Sequence, residues 1–328
     1  MKTTTNRLIA NIRRATAAVL AALLCLSLCA CAGGAGSGDG NERLTVVTTI
    51  FPSYDFARQI GGDRADVTLL LPPDTEAHGF ELTLQDIAAV QQCDLFICTG
   101  GESEQWAEEL MPMLAEYNTE LLVLTDLTDT LEEELVEGME AAEEDHDHDH
   151  GEAEADEHVW TSPRRAAVIT EAICERMCTA DPDNEAYYRS NADAYIAQLN
   201  ALDERLQDIS ANAARNTLIF AERFPFRYLA EDYGFEYYAA FAGCSSATEP
   251  SLSTIAFLTD KVESENIPVV FYIEFSDGKV ADTICQATGA KKLQLHSCHN
   301  LTKEEAESGE TYLSLMERNA EYLREALN

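Results

Sequence analysis

The chain has 328 residues, 46% of them apolar, which is enough for two domains with separate cores. Its 59 acidic residues against 22 basic ones leave a formal charge of −37, and that excludes nucleic acid as a partner, because almost nothing here could displace phosphate counterions. The same balance suits a cationic ligand, or serves solubility.

The N-terminus reads as an export signal. Arg13 and Arg14 precede an apolar core over residues 15–28, too short for a membrane span and typical of a signal h-region. The ending Leu28-Cys29-Ala30-Cys31 resembles a bacterial lipobox, which implies cleavage before Cys31 and lipidation of its thiol. Residues 1–30 are therefore expected to be a lipoprotein signal peptide and residues 31–42 a flexible Gly/Ala/Ser tether. The expected location is the extracytoplasmic face of a bacterial cell membrane, held by lipid. Losing Lys2, Arg7, Arg13 and Arg14 makes the remainder four charges more negative.

Beyond the tether, apolar runs at 44–51, 66–71, 94–100 and 120–125 read as strands. The stretches 54–60, 83–91 and 102–116 read as helices between them. Such alternation predicts βαβ units on a parallel sheet. A second set of strands at 217–221, 235–241, 269–274 and 291–296 follows, again with helices between. The expected fold class is α/β, with two four-stranded lobes at 43–161 and 214–328. Residues 162–213 join them: Ser162-Pro163 is a good N-cap and N1 pair, opening a helix to about Cys178. A second helix is predicted over 184–213, on the order of 45 Å long at 1.5 Å per residue.

Fifteen acids fall in the 29 residues 129–157, where Asp and His alternate through His146, His148 and His150. This tract has no apolar period, so it is expected to be a solvated loop. Imidazole and carboxylate are the donors that zinc and its first-row neighbours take. Seven cysteines besides Cys31 remain in the mature chain. Most read as small buried apolar residues, and Cys244 with Cys298 is the best candidate for a disulfide.

Ligands of open α/β sheets bind beyond the carboxyl ends of the strands. His78 leaves the second strand in Pro72-Pro73-Asp74-Thr75-Glu76-Ala77-His78, and His158 stands just ahead of the Ser162-Pro163 helix start. His296 and His299 frame the end of the last strand, Glu222 follows 217–221, and Glu274 closes 269–274. Every histidine of the mature chain thus lies at a strand end, at a lobe boundary or in the acidic tract, which scattered core histidines would not do.

Taken in order, these segments resemble a metal-binding solute-binding protein of an ABC importer, of the zinc/manganese group whose lobes are joined by a rigid helix. The marks are Thr48-Thr49-Ile50-Phe51-Pro52-Ser53-Tyr54, the His78 loop with Glu81 and Asp86-Ile87, and Gly100-Gly101 before Trp106. Glu157-His158-Val159-Trp160, Glu249-Pro250-Ser251 and Ile273-Glu274 continue the likeness over essentially the whole mature chain. The resemblance implies a metal site in the interlobe cleft, with first-lobe ligands matched by His78 and His158. It also implies that the loop with His146, His148 and His150 is an accessory collector rather than the tight site.

One departure stands out. Counting back from Phe226-Arg227-Tyr228, the position where the family usually carries its third ligand holds Arg223, which cannot ligate. The expectation is that His296, with His299 or Glu222 completing the set, replaces it, while Arg223 neutralises nearby acids. Three or four imidazoles favour zinc over manganese, which remains the alternative metal. The function implied is capture of a divalent metal by a monomer and its delivery to an ABC permease. A surface adhesin or metal buffer is the rival reading. A zinc hydrolase is disfavoured by the lack of a His-Glu-x-x-His helix, a Gly-x-Ser-x-Gly elbow or a phosphate loop.

Overall fold

The run Leu-Thr-Val-Val-Thr forms β1 (Leu44–Thr48), and its neighbouring valines Val46 and Val47 enter two different apolar clusters on opposite faces of the sheet. A strand buried on both faces belongs in a parallel sheet covered by helices. In the computed structural model, which describes residues 43–77, 80–101, 119–140, 155–245 and 249–328 and single positions between 104 and 117, that is what forms. β2 (Ala65–Leu69), β1, β3 (Leu95–Cys98) and β4 (Glu120–Val123) pair in that order, all parallel. Helices α1 (Phe51–Gly61) and α2 (Leu84–Gln92) connect them. The first predicted strand ends early because Pro52 sits in the first turn of α1, where its fixed φ suits a helix start.

The second lobe carries β5 (Thr217–Ile219), β6 (Arg223–Phe224), α5 (Arg227–Tyr233), β7 (Glu236–Tyr238) and β8 (Phe241–Ala242). It continues through α6 (Leu252–Glu265), β9 (Val269–Tyr272), α7 (Lys279–Thr288) and β10 (Lys291–Gln294) to α8 (Lys303–Ser308) and α9 (Tyr312–Leu327). The four expected strands are present, but not as one continuous ladder. β5 pairs with β7, β9 pairs with β10, and between the two pairs stands a single parallel bridge from Phe220 to Phe271. The predicted strand at 235–241 breaks in two, and its end pairs with β6 to hold the segment after β5 at the cleft.

Helices α3 (Pro163–Ala180) and α4 (Glu185–Ala211) join the lobes. At 27 residues, α4 is about 40 Å long. It packs on α1 of the first lobe and on α5 and α9 of the second. Its buried residues Tyr188, Ala192, Tyr195, Leu199, Leu202, Leu206 and Ile209 belong to one apolar cluster that runs from β1 into β5 and α9. Separate clusters cover the outer faces of the two sheets.

Cys244 and Cys298, expected to pair, are both free thiols, as are Cys93, Cys98, Cys174, Cys178 and Cys285. Cys298 is fully buried with its thiol toward the His296 carbonyl, and its φ of 63° is set by the turn it occupies rather than by a disulfide. Among the described residues no helix is long and apolar enough to cross a membrane.

Candidate metal centre

His158 is 1% exposed and ends an irregular segment just before the turn Val159–Thr161 and α3. Asp156, two residues earlier, holds it twice: its Oδ1 accepts the His158 backbone N–H (2.8 Å) and lies 3.1 Å from Nδ1. Asp156 is fixed in turn, because Tyr228 donates its hydroxyl to the Asp156 carbonyl (2.6 Å) and the Asp156 N–H donates to Leu131 (2.8 Å). Burial opposes the charged form of His158, but the charge and hydrogen bond of Asp156 outweigh it, so the ring's pKa is raised. A carboxylate on one ring nitrogen is the arrangement that orients a metal-binding imidazole and raises its basicity.

His299 faces this group from the second lobe, in the loop after β10. Its ring centroid lies 5.5 Å from that of His158 and 5.0 Å from that of Trp160, and the two imidazoles stand nearly perpendicular at 87°. Two imidazoles on one tetrahedral zinc, with bonds of about 2.1 Å, place their centroids roughly 5 Å apart, so the pair has the spacing that a shared ion requires. The loop is braced from below. Glu274, 3% exposed, accepts the Ser297 N–H (2.8 Å) and its hydroxyl, and that hydroxyl accepts the His299 N–H (3.2 Å). Trp160 Nε1–H donates to the Ser297 carbonyl (2.9 Å), and the Phe51 N–H donates to the His299 carbonyl (3.1 Å).

Between His158 and His299 lies a cavity of about 20 Å³, walled by Glu76, Ala77, Arg223, Gly243 and Glu274 among others. That is room for a single water-sized or ion-sized occupant. Gly243 keeps the wall thin: a Cβ there would come within 3.2 Å of both His158 Cε1 and Asp156 Oδ2. The donor set of imidazole backed by carboxylate suits zinc or a first-row neighbour. The cavity continues into a pocket of about 560 Å³ that shares Glu76, Arg223, Ile273, Glu274 and Phe275 with it.

The segment leading to His78 is tied onto the second lobe at this point. Asn300, 1% exposed, donates its amide to the carbonyls of Pro72 (2.7 Å) and Thr75 (2.9 Å). The Asp74 N–H donates to Leu301 (3.0 Å), the Lys303 N–H donates to Asp74 (3.0 Å), and Arg223 pairs with Glu76 at 2.9 Å. Asp74 adopts a left-handed φ of 62°, which aspartate tolerates better than most residues.

A family model described as zinc-uptake complex component A, periplasmic (ZnuA) matches residues 46–326. The chain belongs to the ZnuA family. It is 35% identical over 292 residues to the high-affinity zinc uptake system protein ZnuA of Bacillus subtilis (strain 168), covering 88% of each chain. It is 34% identical over 287 residues to the zinc-binding lipoprotein AdcA of Streptococcus pneumoniae serotype 4 (strain ATCC BAA-334 / TIGR4), spanning 56% of that protein's length. The crystal structure of the Zn(II)-bound ZnuA-like domain of Streptococcus pneumoniae AdcA superposes with a TM-score of 0.72 at 30% identity, over 87% of this chain and 99% of that one.

For a ZnuA-family chain, the placement of the expected site residues divides cleanly. His158 and His299 meet across the cleft, and neither His296 nor Glu222 lines the cavity between them. His296 spends both ring nitrogens within its own lobe: Nδ1 accepts the Cys298 N–H (2.9 Å), and Nε2 lies 3.3 Å from Glu305. Its backbone is bracketed by Asn319, which accepts from the N–H and donates to the carbonyl. Glu222 accepts from the Ser276 hydroxyl in the larger pocket, where burial raises its pKa. Arg223 pairs with an acid as expected. His78, His146, His148, His150 and Cys31 lie outside the described residues. Among the described residues, no cluster of three or more His, Cys, Asp or Glu side chains is arranged to hold a metal. Asp156, Trp160 and Asn300 were not among the site residues expected from sequence. Only Asp156 carried a usable signal, a carboxylate two residues ahead of a candidate ligand.

Proposed function

We propose that this protein captures zinc outside the cytoplasmic membrane and delivers it to an ABC permease for import. The observation that carries this reading is the pair His158 and His299, buried opposite each other at a spacing that fits one zinc ion, in a chain of the ZnuA family. ZnuA-family proteins are extracytoplasmic metal-binding components that work with ABC permeases, not enzymes. We assign ligation to His78, His158 and His299. His299 takes the second-lobe role expected first of His296, because His296 and Glu222 are committed to Glu305 and Ser276. Three neutral imidazoles leave a tetrahedral ion one further position, and the carboxylates on the cavity wall are Glu76 and Glu274. The nitrogen-rich set favours zinc over manganese. The proposed carrier is a monomer anchored by lipid on Cys31, with residues 143–151 as a low-affinity collector.

The test is titration of the purified mature chain with zinc against a chelator of known affinity. His78→Ala, His158→Ala and His299→Ala are each expected to abolish tight stoichiometric binding, while His296→Ala and Glu222→Gln retain it. Wild-type affinity in His299→Ala would overturn the second-lobe assignment. Release of Cys31→Ser from the membrane fraction checks the anchor.

A further inference from the structure

Among the described residues, two leucines stand out as nearly fully exposed: Leu84 at 87% and Leu252 at 85%. Each is the first residue of a helix, α2 in the first lobe and α6 in the second. Each follows a hydroxyl N-cap, Thr83 or Ser251, whose side chain accepts the backbone N–H three residues on. The buried faces of these helices begin later, at Val90 and Thr254, so neither leucine serves its own lobe's core.

The likeness extends to the flanking residues. Glu81-Leu82-Thr83-Leu84-Gln85 and Glu249-Pro250-Ser251-Leu252-Ser253 share one order: an acid, an apolar residue, a capping hydroxyl, a leucine, a polar residue. They also share one exposure pattern, with the second position half-buried and the other four exposed. Glu76, a few residues ahead of the first, lines the 560 Å³ pocket, and so do Glu249 and Pro250 of the second. One short pattern is thus presented twice, once by each lobe, and the second copy borders the pocket that leads into the metal cavity.

We propose that Leu84 and Leu252 are twin anchors of a docking surface for the membrane permease, each seated in an apolar pocket of one of two like membrane subunits. This rests on the transport reading above. A single exposed apolar side chain ringed by polar residues is the form in which binding energy concentrates at an interface, provided the partner supplies a pocket that excludes water. A partner with one such pocket would need one leucine. Two equivalent leucines on the two lobes suit a two-fold partner that offers the same pocket twice. Glu81 and Glu249 call for lysine or arginine at the rim of each pocket, where charge sets orientation and encounter rate. Because the anchors sit on different lobes, the partner engages both lobes at once.

The experiment uses the mature chain with its permease in proteoliposomes, reading zinc-dependent stimulation of ATP hydrolysis against the concentration of the loaded protein. Leu84→Ser and Leu252→Ser are each expected to raise the half-maximal concentration about tenfold, and the double variant more, with zinc affinity in solution within twofold of wild type. Leu135→Ser, another exposed leucine that lies outside both segments, is the control and should change nothing. Undiminished stimulation by the double variant, beside a stimulating wild type, overturns the docking proposal alone. No stimulation by the zinc-loaded wild type overturns the transport reading and the proposal with it. A leucine-dependent dimer of the wild type by light scattering overturns the permease as occupant and reassigns the surface to self-association.

Discussion

Asp156→Asn isolates what the buried carboxylate contributes to the proposed zinc site. The amide oxygen can still accept the His158 backbone N–H at 2.8 Å and the ring N–H at 3.1 Å, so geometry survives while the charge is lost. Outer carboxylates of this kind are worth 10–100-fold in metal affinity, which is about 1.4–2.7 kcal/mol. Retained geometry argues for the lower end, so the expected loss is roughly tenfold at pH 8, measured by chelator competition. The pH dependence has a definite sign. In the folded protein the His158 pKa is raised, so zinc must displace a proton from His158 as pH falls through that raised value, and affinity declines there. Asp156→Asn removes the main cause of the shift, moving the decline to lower pH, so the gap between the two proteins narrows on acidification. Stability of the metal-free chain runs the other way. The His158–Asp156 interaction contributes fully below the unfolded histidine pKa of about 6.5 and is lost as pH rises through the raised folded pKa. Equal zinc affinity at pH 8, or a gap that widens toward pH 6, would refute this account.

Three shorter predictions follow from other contacts. Asn300→Ala strips the carbonyls of Pro72 and Thr75 of their donor at a cost of about 1–3 kcal/mol. Zinc dissociation should accelerate by more than the urea midpoint alone explains, as stopped-flow chelation would record. Trp160→Phe leaves the Ser297 carbonyl unpaired beside a smaller ring and should cost about 1–3 kcal/mol in urea unfolding. An unchanged midpoint would mean that the Trp160–Ser297 contact does not hold the lobes together. Deleting residues 143–151 should spare the tight site and lower the total metal bound at high zinc, read by elemental analysis.

Much of the architecture was readable from local signals. Apolar runs alternating with helical periods marked both lobes, and Ser162-Pro163 marked the start of the linking helices, because strand, helix and cap preferences act over a few residues. His158 was legible as a candidate for the same reason, as a histidine just ahead of the Ser162-Pro163 helix start. The second-lobe residue that faces His158 was not. His296 and His299 lie three residues apart beyond β10, where the alternation of side chains along a strand no longer applies. Cys298, between them, turns through a left-handed φ of 63° that nothing in its residue type announces. That turn faces His296 inward to Cys298 and Glu305 and leaves His299 opposite His158.

Sequence by itself therefore determined most of the described elements, their order and the residue types able to take a metal. Which of those residues meet was decided by contacts between segments more than a hundred positions apart: Trp160 to Ser297, Asn300 to Pro72, Arg223 to Glu76. Local preferences do not encode such pairings. They arise only when the two lobes close on a shared core and buried polar groups must find partners across the cleft.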